Sequence, residues 1–290
     1  MMTEIPGKGK NIVPYRACVG CAESIVLRYI LKAAGKNTII VGATGCAEVF
    51  STPYPYTSWE VPYIHVAFEN AAAVASGIES ALKILKKKTN VIAIAGDGAT
   101  FDIGCQALSG AIERGHNFCY ICLDNEAYMN TGVQRSSATP FYARTTTSPK
   151  GKPKHKKPMP FIIAAHKNVY VATANPAYPQ DLIKKIKKGL EFKGPSYIQI
   201  ICPCVPGWDY PANKTIKIAK LAFETNFYPL YEIENNKLKL NKNTNKKPVS
   251  EYLKLQGRFK HLTKKEIQEI QTFVDENYKN LLKYQNKLIL

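Results

Sequence analysis

Short apolar segments alternate along the chain with longer segments in which apolar residues recur at helical spacing. Unbroken apolar runs of this kind are typical of strands that are buried on both faces of a parallel sheet. The predicted strands are Thr38–Gly42, Tyr63–Phe68, Val91–Ala95, Phe118–Leu123, Asn168–Thr173 and Pro195–Ile201. The predicted helices are Ala22–Ala34, Glu69–Leu85, Pro179–Phe192, Lys214–Glu224 and one that starts near Thr263. This alternation predicts an α/β fold with a doubly wound, mostly parallel sheet.

A chain of 290 residues that is 45% hydrophobic can form one α/β domain with elaborations or two small domains, and we expect one domain over residues 1–290. Two segments extend that domain, a Lys-rich loop at about 144–160 and a C-terminal helical extension at about 248–290. Between them, the sequence YPLYEIENNKLKL predicts a hairpin that turns at Asn235-Asn236. Thr263 and Glu266 have the spacing of a capping box for the last helix.

The motif GDG at 96–98 follows a predicted strand and precedes a helix that we expect to begin near Asp102. The pair Asp124-Asn125 follows the next strand. Because the carboxyl ends of parallel strands meet at one edge of a sheet, we expect Asp97 and Asn125 to lie side by side. Oxygen ligands next to the N-terminus of a helix suit Mg²⁺ and a diphosphate. The alternative interpretation is an ordinary turn between a strand and a helix, with an acidic helix cap.

Eight cysteines in a chain with no visible secretory signal indicate metal or redox chemistry rather than structural disulfides. Cys18 and Cys21 form a C-x-x-C pair just before a helix, Cys46 lies in the loop after a strand, and Cys202 and Cys204 follow another strand. These elements can bring their sulfur atoms together, and the spacing leaves tetrahedral Zn²⁺ and an iron–sulfur cluster both open. The other three cysteines are interpreted as core residues: Cys105, Cys119 and Cys122.

The positive charge is concentrated in the second part of the chain. Residues 1–130 contain 11 basic and 11 acidic residues, whereas residues 131–290 contain 29 and 11, which supplies the whole net charge of +18. No nucleic-acid recognition motif accompanies these lysines, so we expect no nucleic-acid binding but a solvated face that can attract acidic partners. The polar segment 132–158 is expected to be a mobile loop. No apolar run approaches the roughly 20 residues that span a bilayer, so we expect a cytoplasmic protein without membrane contact.

Several longer motifs resemble the beta subunits of the multisubunit pyruvate:ferredoxin oxidoreductases (pyruvate synthases) of archaea and anaerobic bacteria. The resemblance covers nearly the whole chain. Its motifs are CVGC at 18–21, TGCAEVFSTPYPYTSWEVPYIHVAFENAAAVASGIE from 44, GDGATFDIG from 96, LDNEAYMNTGVQRSSATP from 123, PCVPGW from 203 and EYLKLQGRFKHL from 251. Two motifs depart slightly from the family pattern, since CVGC replaces a CPGC-like sequence and PCVPGW replaces a PCP-x-GW element.

The resemblance implies a thiamine diphosphate (TPP)-binding fold that holds the diphosphate end of the cofactor, and it also implies a [4Fe-4S] cluster. The implied cluster ligands are the thiolates of Cys18, Cys21, Cys46 and, by motif position, Cys204. The departure in the last motif leaves Cys202 and Cys204 as alternatives for the fourth ligand.

The same resemblance implies Mg²⁺ bound by Asp97, Asn125 and the carbonyl of Ala127. The other implied cofactor-binding residues are glycines and a cysteine at the strand ends: Gly45, Cys46, Gly96 and Gly98. Of these, Gly45 and Cys46 are implied to pack beside the thiazolium, within electron-transfer reach of the cluster. Asn130 and Thr131 are implied to face the substrate.

The implied reaction converts pyruvate, coenzyme A and oxidised ferredoxin into acetyl-CoA, CO₂ and reduced ferredoxin, reversibly. The implied partners are alpha, gamma and delta subunits and the acidic protein ferredoxin. This chain has no clear module for the pyrimidine end of TPP, and in the family the activating glutamate comes from the alpha subunit. The active site is therefore expected at a subunit interface. Two alternatives stay open: an enzyme for 2-oxoisovalerate, 2-oxoglutarate or oxalate, and a zinc-stabilised subunit without catalytic activity.

Overall fold

An eight-stranded sheet forms the centre of the fold in the computed structural model, which describes residues 16–241, 243 and 245–288. The strands are β1 (Thr38–Ala43), β2 (Tyr63–Val66), β3 (Asn90–Gly96), β4 (Cys119–Asp124), β5 (Tyr170–Ala174), β6 (Ser196–Ile201), β7 (Tyr231–Glu234) and β8 (Lys237–Leu240). Their order is β2-β1-β3-β4-β6-β5-β7-β8. The first six strands are parallel, and β7 and β8 extend the sheet as antiparallel strands. The prediction of a mostly parallel sheet is confirmed.

Helices cover both faces of the sheet, as the doubly wound prediction requires. They are α1 (Ala22–Ala34), α2 (Cys46–Ser51), α3 (Ala71–Ile84), α4 (Cys105–Glu113), α5 (Met159–Ala164), α6 (Pro179–Glu191), α7 (Val205–Trp208), α8 (Thr215–Glu224), α9 (Ser250–Leu253) and α10 (Lys264–Tyr284). α1 and α6 pack on one face, α3, α4 and α5 on the other. α8, α9 and part of α10 form a further apolar cluster around Trp208. None of these helices, over the ranges described, has the length and apolar character needed to cross a bilayer.

A crevice opens between the carboxyl ends of β1 and β3. The chain runs from β1 to β2 toward one edge of the sheet, and from β3 to β4 toward the other. The loops that leave Ala43 and Gly96 therefore diverge. Doubly wound sheets bind their ligands at this point of reversal.

Helical structure starts earlier after β3 than the sequence predicts. We expect a start near Asp102, but the backbone is already helical at Asp97 and continues as a π turn over Ala99–Ile103. The N–H of Gly104 donates to the carbonyl of Ala99 at 2.8 Å, the five-residue spacing that defines a π turn. The free N–H groups of this first turn consequently lie directly at the GDG motif.

Two short helices lie where the sequence predicts loops. α2 begins at Cys46 and α5 begins at Met159, inside the predicted Lys-rich loop. Each is six residues long, which is less than two turns and too short to show a helical repeat of apolar positions.

Three local predictions are confirmed. The hairpin turns at Asn235 and Asn236, whose φ values of 49° and 61° are both positive, as a type I′ turn requires. Thr263 and Glu266 form the reciprocal capping box of α10. The three cysteines expected in the core pack there, with Cys119 and Cys122 fully buried on opposite faces of the sheet and Cys105 half-buried against α3 and its neighbours.

The Lys-rich loop packs inward, so the prediction of a solvated segment is wrong for its central part. Lys152 is 1% exposed, and its ammonium donates to the carbonyls of Ser137 at 3.1 Å and Thr139 at 2.6 Å. The ammonium of Lys157 donates to the carbonyl of Phe101. Buried carbonyls of the surrounding loops need donors, and these lysines provide them.

Removal of the Lys156 ammonium should destabilise the protein. Lys156 pairs with the carboxylates of Asp124 at 2.5 Å and Glu126 at 3.0 Å, and both carboxylates are buried. Lys156→Met is expected to lower the free energy of unfolding by about 3–5 kcal/mol, because it leaves buried negative charge uncompensated. Denaturant unfolding measures the change. The control Lys154→Met, at an exposed position of the same loop, should change it by less than about 0.5 kcal/mol. Equal effects of the two substitutions would contradict the inward packing.

Candidate active site

A cleft of about 380 Å³ occupies the crevice between the carboxyl ends of β1 and β3. Most of the residues that the sequence assigns to the cofactor and substrate line it together: Gly45, Cys46, Gly96, Gly98, Asn125, Asn130 and Thr131. Large apolar side chains line other parts of its wall: Trp59, Tyr63, Phe68, Tyr128 and Met129. The predicted residues thus converge on one space, although they come from the loops after three different strands.

Asp97 lies next to this cleft with no exposed surface. One of its carboxylate oxygens accepts the N–H of Glu126 at 3.1 Å, and the other accepts the hydroxyl of Ser136 at 2.5 Å. Burial raises the pKa of Asp97 well above its usual range, and the nearby carboxyl of Asp124 adds to this effect. A cation near such a carboxyl group would favour its ionised form.

Asn125 is held by groups from two distant parts of the chain. Its Nδ2 donates to Oε1 of Glu23 at 2.7 Å, and its Oδ1 is 3.4 Å from the N–H of Ala127. The indole N–H of Trp208 donates to its backbone carbonyl at 2.7 Å. Burial raises the pKa of the Glu23 carboxyl to about 7. Asp97, Asn125 and Ala127 therefore lie at one edge of the sheet, as the sequence predicts.

The loop after β4 closes across the start of the helix that follows β3. A Cβ atom at Gly98 would overlap the ring of Tyr128, so only glycine permits this packing. The Tyr128 hydroxyl donates to the Asp102 carboxylate at 2.9 Å. Farther along the same loop, Asn130 and Thr131 are exposed at the cleft.

A second cavity, of about 200 Å³, is lined by all the predicted sulfur ligands. Cys18 and Cys21 precede α1, Cys46 is the first residue of α2, and Cys204 is the N-cap of α7. Within the described ranges, no three His, Cys, Asp or Glu side chains form a group that could hold a single metal ion. The four cysteines instead stand around the walls of one cavity.

Cys202 and Cys204 both line this cavity, but their environments differ. Cys202 is 1% exposed and packs in the apolar core. Cys204 is half-buried, and the N–H of Gly207 is directed at its sulfur. Cys204 is thus the less buried of these two cysteines that line the cavity.

Burial keeps three of the cavity thiols, those of Cys21, Cys46 and Cys204, protonated near neutral pH. It raises the pKa of Cys21 to about 12 and that of Cys204 to about 12, and it also raises the pKa of Cys46. The carboxyl of Glu23 adds to the shift at each of the three. Since metals bind the thiolate, occupation of this cavity by a metal centre would release protons.

The two cavities are neighbours. Four residues line both of them: Glu23, Cys46, Met129 and Asn130. One cysteine of the sulfur-lined cavity is therefore also part of the wall of the cleft.

A buried charge network that sequence reasoning missed supports the loop after β4. Its carboxyl groups are those of Asp97, Asp124 and Glu126. The guanidinium of Arg258 pairs with Glu126 at 2.6 Å and stacks 3.8 Å from the centroid of the Trp208 ring. Burial alone would raise the pKa of Glu126, but Lys156 and Arg258 outweigh it and lower that pKa. Arg258 lies in the motif QGRF and Trp208 in the motif PCVPGW, so these two motifs are the part of the sequence that could have indicated the network.

Residues 43–200 match the family model of the thiamine pyrophosphate enzymes for their C-terminal, TPP-binding domain. The match covers more than half of the chain; it begins at Ala43, the last residue of β1, and includes β3, β4 and most of the residues that line the cleft. Fold and cleft thus define a TPP-binding domain.

Relatives are similar over most of the chain. The pyruvate synthase subunit PorB of Methanocaldococcus jannaschii is 57% identical over 281 residues, which cover 92% of this chain and 94% of that protein. The ketoisovalerate oxidoreductase subunit VorB of Pyrococcus abyssi is 49% identical over 293 residues, or 96% and 94% of the two chains. The chain belongs to the family of beta subunits of 2-oxoacid:ferredoxin oxidoreductases, enzymes that consist of several subunits.

A solved structure supports the fold. The 2-oxoglutarate:ferredoxin oxidoreductase from Magnetococcus marinus superposes with a TM-score of 0.60 at 22% identity. The superposition covers 76% of this chain and 82% of that chain.

Burial also predicts how the thiols react in metal-free protein. Cys18 is exposed, whereas the pKa values of Cys21 and Cys204 are both raised to about 12. With iodoacetamide at pH 8, Cys18 should be alkylated first. The rates at Cys21 and Cys204 should rise about tenfold per pH unit up to the pKa, because the thiolate is the nucleophile. Peptide mass spectrometry after quenching measures each site, and equal rates at all three sites at pH 8 would contradict the burial.

Proposed function

We propose that this chain is the beta subunit of a cytoplasmic pyruvate:ferredoxin oxidoreductase that also contains alpha, gamma and delta subunits. The complex converts pyruvate, coenzyme A and oxidised ferredoxin into acetyl-CoA, CO₂ and reduced ferredoxin, reversibly. Relatives named for pyruvate synthase are 48–57% identical and those named for ketoisovalerate are 47–49% identical; the four at 53–57% are all named for pyruvate synthase, which supports pyruvate as the substrate.

Asp97, Asn125 and the carbonyl of Ala127 would hold Mg²⁺, with the diphosphate of TPP beside Gly96 and Gly98. The residues fit this group, because a buried carboxyl, an amide oxygen and a carbonyl are hard oxygen donors at one sheet edge. When bound, TPP supplies the electron sink for loss of CO₂ from a 2-oxo acid.

The juxtaposition of the two cavities carries the proposal. Cys18, Cys21, Cys46 and Cys204 would hold a [4Fe-4S] cluster in the cavity of about 200 Å³. Cys46 also lines the cleft of about 380 Å³, so a redox centre and the cofactor would be separated by one layer of residues. The backbone N–H groups of Glu23 and Ser24 are directed at the Cys21 sulfur, where they would tune the cluster potential.

Asn130 and Thr131 are proposed to bind the substrate. Both are exposed at the cleft, where the Asn130 amide can donate to a carboxylate or a ketone oxygen. The Thr131 hydroxyl donates to Oε1 of Gln134 at 2.6 Å and would exchange that acceptor for the substrate. Apolar side chains such as those of Trp59 and Phe68 restrict water in the same space.

A glutamate of the alpha subunit is proposed to activate the aminopyrimidine ring of TPP. Among the described residues, two glutamates line the cleft, and both already accept hydrogen bonds: Glu23 from Asn125 and Glu48 from Thr52. The cleft would then be completed by the alpha subunit. The excess of lysine in residues 131–290 would favour the approach of acidic ferredoxin.

Reconstitution of the complete complex tests the substrate and the cluster. We expect anaerobically purified complex to contain iron and acid-labile sulfide in this subunit and to reduce a low-potential acceptor with pyruvate and coenzyme A. Iron and sulfide analysis, EPR after reduction, and assays with each 2-oxo acid in turn are the measurements. Higher turnover with 2-oxoisovalerate would transfer the assignment to the ketoisovalerate enzymes. Zinc without sulfide, and no EPR signal, would contradict the cluster.

Substitution of Asp97 should affect the TPP content of the complex but not its iron content. Asp97→Ala in the complex is expected to abolish TPP retention while leaving the iron content intact, because Asp97 adjoins the cleft and not the cysteine cavity. Asp97→Asn, which keeps oxygen and nitrogen atoms for Glu126 and Ser136, should lose TPP as well. Thiochrome assay and iron analysis measure both contents. The control is Glu113→Ala at an exposed helix position, and full TPP retention by both Asp97 variants would rule out the ligand role.

A further inference from the structure

Glu23 is a buried carboxyl group that lies just after the CVGC motif and has no role in that motif. It lies in the first turn of α1, two residues after Cys21, and is 5% exposed. Its side chain lines both the cleft and the cysteine cavity. Burial of a carboxyl group between two cavities costs free energy unless a hydrogen bond compensates it. The residue that makes this hydrogen bond therefore indicates the role of Glu23.

That partner is the amide of Asn125, 102 positions away in the chain. A carboxylate accepts hydrogen bonds, so the 2.7 Å contact fixes the Asn125 nitrogen toward Glu23. The two ends of a planar amide point in different directions, and the Oδ1 atom is therefore turned away from Glu23. Its contact with the Ala127 N–H is long, at 3.4 Å, and adds little restraint.

The backbone of Asn125 is already fixed by a separate contact. The Trp208 indole donates to its carbonyl at 2.7 Å, and this tryptophan is stacked on Arg258. The remaining freedom is rotation of the side chain, and Glu23 is the group that restricts it.

We propose that Glu23 is a positioning residue that orients the Asn125 amide so that its Oδ1 is presented to Mg²⁺. This inference rests on the proposed function, in which Asn125 is a ligand of the TPP-bound metal. It also links the two halves of the site, because the carboxyl group that orients the metal ligand belongs to α1, the helix whose N-cap is Cys21. The sequence Cys-Ala-Glu at 21–23 would then serve cluster and cofactor together.

The test measures Mg²⁺ affinity rather than turnover. The assembled complex is stripped of TPP and Mg²⁺, saturated with TPP, and titrated with Mg²⁺ while binding is followed by calorimetry; iron content is measured in parallel. Glu23→Ala should weaken Mg²⁺ binding by about 10- to 100-fold, the usual effect of removing a group that orients a metal ligand. Glu23→Gln should restore affinity near that of the parent, because its amide oxygen still accepts from Asn125. Both variants should keep their iron.

The control is Glu48→Ala, which removes the other cleft-lining carboxyl without touching Asn125 and should leave Mg²⁺ affinity unchanged. Unchanged affinity in Glu23→Ala would overturn the inference. Equal weakening in Glu23→Gln would also overturn it, since charge or direct ligation would then be the cause. Loss of iron together with Mg²⁺ would assign Glu23 to the cluster instead. Failure of the parent complex to bind Mg²⁺ and TPP would overturn the proposed function itself, and with it this inference.

Discussion

The burial of three carboxyl groups at the carboxyl end of the sheet is the constraint on which the rest of the site depends. Asp97, Asp124 and Glu126 lie close together away from solvent. Each buried ion costs several kcal/mol unless charges and hydrogen bonds compensate it. Lys156 and Arg258 supply the opposite charge. For this reason the Lys-rich loop and the C-terminal segment belong to the site and are not only surface segments.

The same network holds the loop after β4 from several sides. Asn125 is held by Glu23 from the first helix and by Trp208 from the last cysteine motif, and Arg258 holds both Trp208 and Glu126. In the proposed function, a metal ligand held in this way would need little reordering when its cation binds. The contacts also tie the walls of the cleft to those of the cysteine cavity. In the proposed enzyme, decarboxylation and electron transfer would thus share one preorganised wall.

Much of the fold follows from local patterns. Apolar runs and helical spacing locate the six parallel strands and the longer helices to within a few residues, because burial on both faces leaves a clear signature. The hairpin at Asn235-Asn236 and the cap at Thr263 follow from turn and capping chemistry. The misses are α2, α5 and the early π turn after β3. These elements are too short to show a helical period in their sequence, and packing against the sheet determines that they are helical.

The sequence by itself determined which residues have the chemistry of the site, since glycines, carboxylates and cysteines at the ends of apolar strands must meet at one edge of a parallel sheet. Only the tertiary structure decided how they are supported. It turned Lys152 and Lys156 inward and buried Cys202 more deeply than Cys204. It also brought Glu23 to a partner 102 positions away. Such contacts depend on how loops from distant segments fill space and compensate buried charge, which no local pattern records.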